Sequence, residues 1–140
     1  MVKMLFAIRR LPHLSPEEFH RYWRENHGRL AQKNLPALRV KRYVQTHTID
    51  TPFNEVLRES RGGGEPYDGV VEIWWDSVED LEAAFATPEG VQASEELLED
   101  EKRFIDLPRS SMWFAEEEVF IGVQEDLSGR TSIMPIEFDY

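Results

Sequence analysis

Two histidines and one tyrosine are the residues of this chain whose types and spacing could support acid–base chemistry. His27 comes late in a stretch with helical apolar spacing, about 80° from Phe19 around the helix at roughly 100° per residue. It therefore lies at the edge of the buried stripe, where burial disfavours the imidazolium and a helix C-terminus favours it. We expect the His27 pKa to lie near neutrality. The structural alternative is a capping or core histidine bonded to a carbonyl.

His47 belongs to a second group of polar side chains, on a predicted strand. Tyr43, Gln45 and His47 share one face of that strand, because alternate residues point the same way. If this face is turned toward the helices, His47 and His27 border one cavity from opposite walls. One histidine would then remove a proton beside a carbonyl or from a phenol, and the other would return a proton. Tyr43 would donate a hydrogen bond to the enolate oxygen. The alternative is a polar rim or an interface.

Aromatic side chains near these residues are candidates for the walls of a substrate pocket. Trp23, Tyr22 and Trp75 would present flat apolar surfaces to an aromatic compound. Together with Gln45 they are the predicted substrate-binding residues. Each aromatic residue taken alone is more typical of a core than of a pocket.

Several other functional classes are disfavoured by composition and spacing. The chain has no cysteine, which excludes disulfides, thiolate nucleophiles and cysteine-ligated metals. His20 and His27 are separated by about 10 Å of helix rise, too far for two ligands of one metal without a third element. The glycines at 62–64 do not follow a strand and precede no helix with a lysine, so a phosphate loop is not expected. We expect no metal, and we interpret the acidic residues 95–101 as a solvated helix face.

The charge of the chain limits its partners. The formal net charge is -11, which disfavours nucleic acid and acidic membrane surfaces. Apolar runs such as residues 4–8 are too short to span a bilayer, and the N-terminal residues enter a strand pattern without the features of a signal peptide. Nucleic acid and membranes are therefore not expected as partners, and the cytoplasm is the expected compartment.

The elements that must position these residues follow a βαββαβ order. The pattern predicts strands at 4–8, 40–49, 69–75 and 112–121, and helices at 16–31, 78–85 and 87–104. Ser15, Pro16 and Glu18 form a capping-box start for the first helix. This order is typical of a ferredoxin-like α+β domain with a four-stranded antiparallel sheet, here a single domain over residues 1–140. Residues 50–67 are interpreted as a loop or partly helical insertion, and about 123–140 as a C-terminal arm.

The third predicted strand carries apolar residues on both of its faces, among them Val70, Val71 and Trp74. Helices cover only one face of such a sheet, so the other face also requires burial. A second copy of the chain is the simplest cover, and we therefore predict a homodimer formed through the sheet faces.

Residues 9–27 carry a motif that is similar to a known family. A strand end and a short turn lead into a helix with Phe19, then Tyr22 and Trp23, and then His27 four residues after the tryptophan. The second strand ends in Gln45 and His47, and residues 76–81, 87–89 and 116–119 suit two helix starts and a last strand. Over roughly residues 2–123 the chain resembles the EthD-type family of the dimeric α+β barrel superfamily.

The resemblance implies a dimeric α+β barrel that works without a cofactor. Relatives of this type include enzymes that cyclise, dehydrate or decarboxylate aromatic polyketides and similar carbonyl compounds, and some that oxygenate them without a cofactor. Others have an accessory role beside an oxidative degradation system. The leading hypothesis is a cofactor-free acid–base enzyme, a lyase or cyclase, for a small aromatic or polyketide-like carbonyl compound. A cofactor-independent monooxygenase and a non-catalytic binding protein are the alternatives, and oxygen consumption would separate the first of these.

Overall fold

The secondary structure follows the predicted order of strands and helices. The computed structural model describes residues 1–125 and 131–133 of the 140-residue chain. Its strands are β1 (Val2–Ile8), β2 (Arg42–His47), β3 (Gly69–Trp75), β4 (Ser111–Ala115), β5 (Val123–Glu125) and β6 (Thr131–Ile133). Its α-helices are α1 (Pro16–Tyr22), α2 (Gly28–Asn34), α3 (Pro52–Arg61), α4 (Val78–Phe85) and α5 (Pro88–Glu101). A π-helical segment (Trp23–His27) joins α1 to α2, and 3-10 turns occupy Leu35–Leu38 and Leu107–Arg109.

The first four strands form one antiparallel sheet in the order β2-β3-β1-β4. This is the strand order of the ferredoxin-like fold, in which the two βαβ halves interleave. The predicted fold class, a ferredoxin-like α+β domain with a four-stranded antiparallel sheet, is therefore confirmed.

Two predicted strands are too long. The second strand was expected over residues 40–49 and is Arg42–His47, the stretch that pairs with residues 69–74 of β3. The fourth was expected over residues 112–121 and ends at Ala115. Its last pairing is Lys3 with Ala115, near the start of β1, so the residues beyond have no neighbouring strand to bond. Apolar composition predicted where the strands lie, but the extent of the neighbouring strands decided where each of them ends.

The first helix begins as predicted and continues in an unexpected way. The Ser15 hydroxyl accepts a hydrogen bond from the Glu18 amide at 3.1 Å, and the Glu18 carboxylate accepts one from the Ser15 amide at 3.4 Å. After the seven residues of α1 the chain continues as the π-helical segment, in which the Gly28 amide donates a hydrogen bond to the Trp23 carbonyl. Such segments are rare and frequent at functional sites, and the apolar spacing alone did not reveal this one.

The two faces of the sheet differ in what covers them. One face carries Phe6, Val71 and Trp75 and packs with Phe19 and Trp23 from the helical layer into the main core. On the opposite face the Lys3 ammonium is paired with Glu72 at 3.1 Å and Glu117 at 2.6 Å. That face has no helical layer over it in the part of the chain that the structure describes.

The insertion at 50–67 contains a helix, α3. Thr51 caps it, and its C-terminus turns at Gly62, whose φ of 59° is in the left-handed region that suits glycine. Its apolar residues Phe53, Val56 and Leu57 are all more than half exposed. The insertion therefore adds an amphipathic helix without adding to the core.

The predicted C-terminal arm falls partly outside the described residues. Strands β5 and β6 pair with each other as an antiparallel two-stranded sheet, and residues 126–130 and 134–140 lie outside the description. The interpretation of 123–140 as an arm stays a prediction. Within the described residues no helix is long and apolar enough to cross a membrane. The cytoplasmic location likewise stays a prediction.

Candidate functional site

A cavity of about 420 Å³ lies between the sheet and the helical layer. This volume is within the range of roughly 300–1,000 Å³ that is usual for small-molecule sites. Its apolar lining residues include Met4, Phe6, Trp23, Ala31, Leu35, Val71, Ile73, Trp75, Leu81, Leu97, Met112 and Phe114. Its polar lining is confined to His27, Tyr43, Ser94 and Glu101. A mostly apolar wall with a few polar groups is typical of a site that binds and orients an apolar molecule.

His27 is buried, lines this cavity and is bonded to a carboxylate. Its Nδ1 lies 2.8 Å from Oδ2 of Asp100, which is only 4% exposed. Nδ1 therefore carries the imidazole proton and donates a hydrogen bond to the carboxylate. This leaves Nε2 without a proton, as the nitrogen that can accept one. Burial lowers the pKa of His27, while Asp100 acts in the opposite direction, and the net shift is downward. His27 is thus neutral at physiological pH and has the form required of a base.

Asp100 is held in place by two further donors. The Tyr22 hydroxyl donates to its Oδ1 at 2.6 Å, and the Arg103 guanidinium donates to the same oxygen at 3.1 Å. Burial raises the pKa of Asp100, but hydrogen bonds from Tyr22 and His27 outweigh it, and the net shift is downward. Asp100 therefore stays ionised. Tyr22, predicted to bind substrate, does not line the cavity but positions Asp100 from behind it.

The Tyr43 hydroxyl has a free proton to donate. Its oxygen accepts a hydrogen bond from the Gln45 amide nitrogen at 2.9 Å, and no group in the described residues accepts its own proton. Burial raises the pKa of Tyr43, so the hydroxyl stays protonated. Because Tyr43 lines the cavity, this donor is available to a bound molecule.

Trp23 borders the same cavity, but its indole N–H is not open to it. The side chain is fully buried, and its Nε1 is the one buried side-chain atom without a hydrogen-bond partner of good geometry in the described part of the chain. The indole N–H interacts with the Tyr43 oxygen and lowers the pKa of that hydroxyl. Trp23 therefore acts on the site through Tyr43 rather than through direct contact with a ligand.

Gln45 bonds both the π-helical segment and Tyr43. Its amide nitrogen donates to the Trp23 carbonyl at 3.0 Å as well as to the Tyr43 oxygen. The Gly28 amide also bonds that carbonyl, and Gly28 has no side chain to obstruct the approach, since a Cβ there would lie 3.2 Å from the Gln45 nitrogen. Gln45 does not line the cavity, so its predicted role in substrate binding stays a prediction.

His47 lies away from the cavity, contrary to the expectation that it faces His27. Its Nδ1 is 2.7 Å from Nδ1 of His20, and its Nε2 is 2.8 Å from the Gln45 side-chain oxygen. Burial, followed by the charges of His20 and Arg24, lowers the pKa of His47 to about 4. Neutral His47 donates from Nε2 and accepts at Nδ1, which orients Gln45 and, through it, Tyr43. The two histidines are therefore not brought together, and the catalytic role of His47 stays a prediction.

Trp75 lines the cavity as predicted, but only as a wall. Its indole N–H donates to the Leu38 carbonyl at 2.8 Å, so it has no free donor. The described residues also contain no group of three or more His, Asp or Glu side chains that could hold a metal ion.

The interpretation of residues 95–101 as a solvated face is wrong for Asp100 and Glu101. Asp100 is buried against His27, and the partly buried Glu101 lines the cavity. Helical spacing contained the signal for Asp100, because Ala93, Leu97, Asp100 and Phe104 recur at intervals that place them on one face. The high density of acidic residues concealed that register.

The fold and the cavity define a ferredoxin-like α+β protein with a mostly apolar cavity between its sheet and its helices. The sequence profile of the EthD domain matches residues 11–108, and the chain belongs to that family. The family resemblance predicted from residues 9–27 is thereby confirmed. A comparison with curated proteins gives no significant match.

Solved structures with the same fold share little sequence with this chain. The chain is similar to an EthD family protein from Bacillus halodurans, with a TM-score of 0.55 and 19% identity over 84% of this chain and 100% of that one. An EthD-like protein from Ralstonia eutropha gives a TM-score of 0.53 and 14% identity over 82% and 90%. HapK from Hahella chejuensis gives 0.52 and 13% over 84% and 93%. At these identities the likeness extends to the fold alone.

Proposed function

We propose that this protein is an acid–base enzyme that removes a proton beside the carbonyl group of a small, largely apolar compound. The observation that carries the proposal is the combination of a neutral, carboxylate-oriented His27 with the unused Tyr43 donor in one cavity. Nε2 of His27 takes the proton, and the Tyr43 hydroxyl stabilises the enolate oxygen that develops.

The substrate class follows from the lining of the cavity. Aromatic and aliphatic side chains surround four polar residues, so a molecule with an extended apolar body and few oxygens fits best. Small aromatic or polyketide-like carbonyl compounds meet this description. Cyclisation, dehydration and decarboxylation all proceed through an enolate, and none of them requires a cofactor for the proton transfer itself.

The first prediction is that the protein catalyses proton exchange on a simple ketone. Incubation with benzylacetone in deuterated water is expected to give deuterium at the carbons beside the carbonyl, measured by proton NMR, faster than in buffer. Replacing Tyr43 with Phe removes the enolate donor and is expected to slow exchange by about 10²-fold.

The control for this prediction is Tyr67→Phe. Tyr67 lies under the Arg9 guanidinium and does not line the cavity, so the variant is expected to exchange at the wild-type rate. Equal exchange by wild-type protein and buffer would refute the proposal. Equal exchange by the Tyr43→Phe variant and the wild type would remove Tyr43 from the site.

We further propose that the uncovered sheet face forms a homodimer. Leu5 pairs with Trp113 on that face, Trp113 is 46% exposed, and Val44 and Val70 are only partly buried. The second prediction is that Trp113→Asp shifts the protein from dimer to monomer in sedimentation, because an unpaired charge would be buried at the interface. Trp113→Phe is the matched control and should remain dimeric. A monomeric wild-type protein would contradict the proposal.

A further inference from the structure

We infer that Glu101 is the catalytic acid of this site and that its substrates are β-hydroxy carbonyl compounds, which the enzyme dehydrates. This inference rests on the proposed function, because it needs His27 as the base. It goes beyond that function by naming the group that expels the leaving oxygen and the structural class of the substrate.

Glu101 shares the cavity with the base His27 and the donor Tyr43. It comes from the end of α5, whereas His27 and Trp23 come from the π-helical segment and Tyr43 from β2. No hydrogen bond or ion pair to its carboxyl group occurs in the described residues. The nearby cations are engaged elsewhere, since Lys102 bonds Glu99 and Arg103 bonds Asp100. The carboxyl group is thus left for the cavity.

The surroundings of Glu101 favour its protonated form. Burial, and then the negative charge of Asp100, raise the pKa of Glu101 to about 7. The titratable groups that face it in the cavity are His27, which is neutral, and Tyr43, whose pKa is itself raised in part by Glu101. No cation in the cavity lining offsets these effects. A substantial fraction of Glu101 is therefore a carboxylic acid at neutral pH.

Two adjacent carboxyl groups are thereby given opposite states. Asp100 accepts three hydrogen bonds and stays ionised, whereas the Glu101 carboxyl group accepts none from the described residues and is protonated in a substantial fraction of molecules. Environments that separate the pKa values of neighbouring groups assign the acid and base functions of a site. Here Asp100 orients the base and Glu101 is the acid.

The resulting reaction is balanced without any added reagent. Nε2 of His27 takes the proton from the carbon between the carbonyl and the hydroxyl-bearing carbon, and the Tyr43 hydroxyl donates a hydrogen bond to the enolate oxygen. The enolate electrons form the new carbon–carbon double bond as the carbon–oxygen bond breaks. The departing hydroxyl takes the Glu101 proton and leaves as water. The proton on His27 then returns to Glu101 through solvent, which restores both groups.

The test separates proton removal from loss of the hydroxyl. Exchange on benzylacetone needs only the base and the donor, whereas dehydration of the aldol adduct of acetone and benzaldehyde to benzalacetone also needs the acid. Glu101→Gln cannot donate a proton in this way, so dehydration is expected to fall by about 10²-fold or more, and exchange far less. Glu99→Gln, on an exposed position of the same helix, is the matched control and should keep both reactions.

A pH profile of the wild-type enzyme provides a measurement that does not depend on the folding of the variant. Dehydration is expected to fall as pH rises through about 7, where Glu101 loses its proton, while exchange does not fall over that range. Dehydration by Glu101→Gln at the wild-type rate, or a profile without that decline, would overturn the inference. Exchange without any dehydration by the wild type would overturn the inference and leave the proposed function standing. Absence of both reactions would refute the proposed function, and the inference with it.

Discussion

Replacing His27 with Gln is expected to slow proton exchange on benzylacetone by about 10²–10⁴-fold while the protein stays folded. Glutamine can still donate a hydrogen bond to Asp100, whose carboxylate lies 2.8 Å from the histidine nitrogen, so the buried charge keeps a partner. It has no nitrogen that accepts a proton, so the base is lost. Proton NMR measures the exchange, and thermal unfolding reports the fold.

The control for His27→Gln is His13→Gln, because His13 is exposed in the turn before α1 and is expected to be silent in both measurements. In the wild type, exchange should decline as pH falls below the ordinary histidine value of 6.5, because the His27 pKa is lowered and the base is lost only when Nε2 is protonated. Loss of the fold in His27→Gln would show a structural role. Full activity in a folded variant would show that another group is the base.

Replacing Gly69 with Ala is expected to give the largest loss of stability of the substitutions considered. A Cβ at this position would lie 2.5 Å from the Trp23 ring and 2.6 Å from the Thr46 carbonyl oxygen. Both neighbours are fixed, one as a fully buried core ring and the other as strand backbone. Overpacking of this kind costs about 1–3 kcal/mol and occasionally more. Denaturant unfolding measures the loss.

Gly69→Ala should also reduce activity, because the displaced Trp23 ring borders the cavity and interacts with the Tyr43 hydroxyl. The matched control is Gly64→Ala in the exposed insertion, where a Cβ would meet nothing within 4 Å. That variant is expected to unfold within about 0.5 kcal/mol of the wild type, as surface substitutions usually do. Equal stability of the two variants would mean that the strand and the ring have room to separate, and that close packing at Gly69 does not hold Trp23 in place.

Gln45 joins the fold to the chemistry. Its nitrogen holds the Trp23 carbonyl and the Tyr43 hydroxyl, and its oxygen is bonded by His47. The same amide therefore accommodates the π-helical segment and leaves the Tyr43 proton free for a ligand. Strand alternation correctly placed Tyr43, Gln45 and His47 on one polar face. These side chains bond to one another and to the helical segment, and only Tyr43 also lines the cavity.

The sequence by itself determined the fold class and which face of each strand or helix is turned inward. Alternation placed Tyr43, Gln45 and His47 on one face, and the spacing from Phe19 placed His27 beside the buried stripe. The capping box at Ser15 and the motif of residues 9–27 identified the family. These features are local, because each depends on the period of one element or on a few neighbouring residues.

Only the tertiary structure decided which of these residues meet. His27 finds Asp100 at a separation of 73 residues, whereas His47 is paired with His20 and kept from the cavity. The pKa of Glu101 is raised because the end of α5 reaches the cavity, where burial and the negative charge of Asp100 both favour the protonated carboxyl group. A side-chain period shows that a residue faces inward, but its partner depends on how helices cross and how strands align. Those are properties of the packed chain, and the pKa values that define the site arise from them.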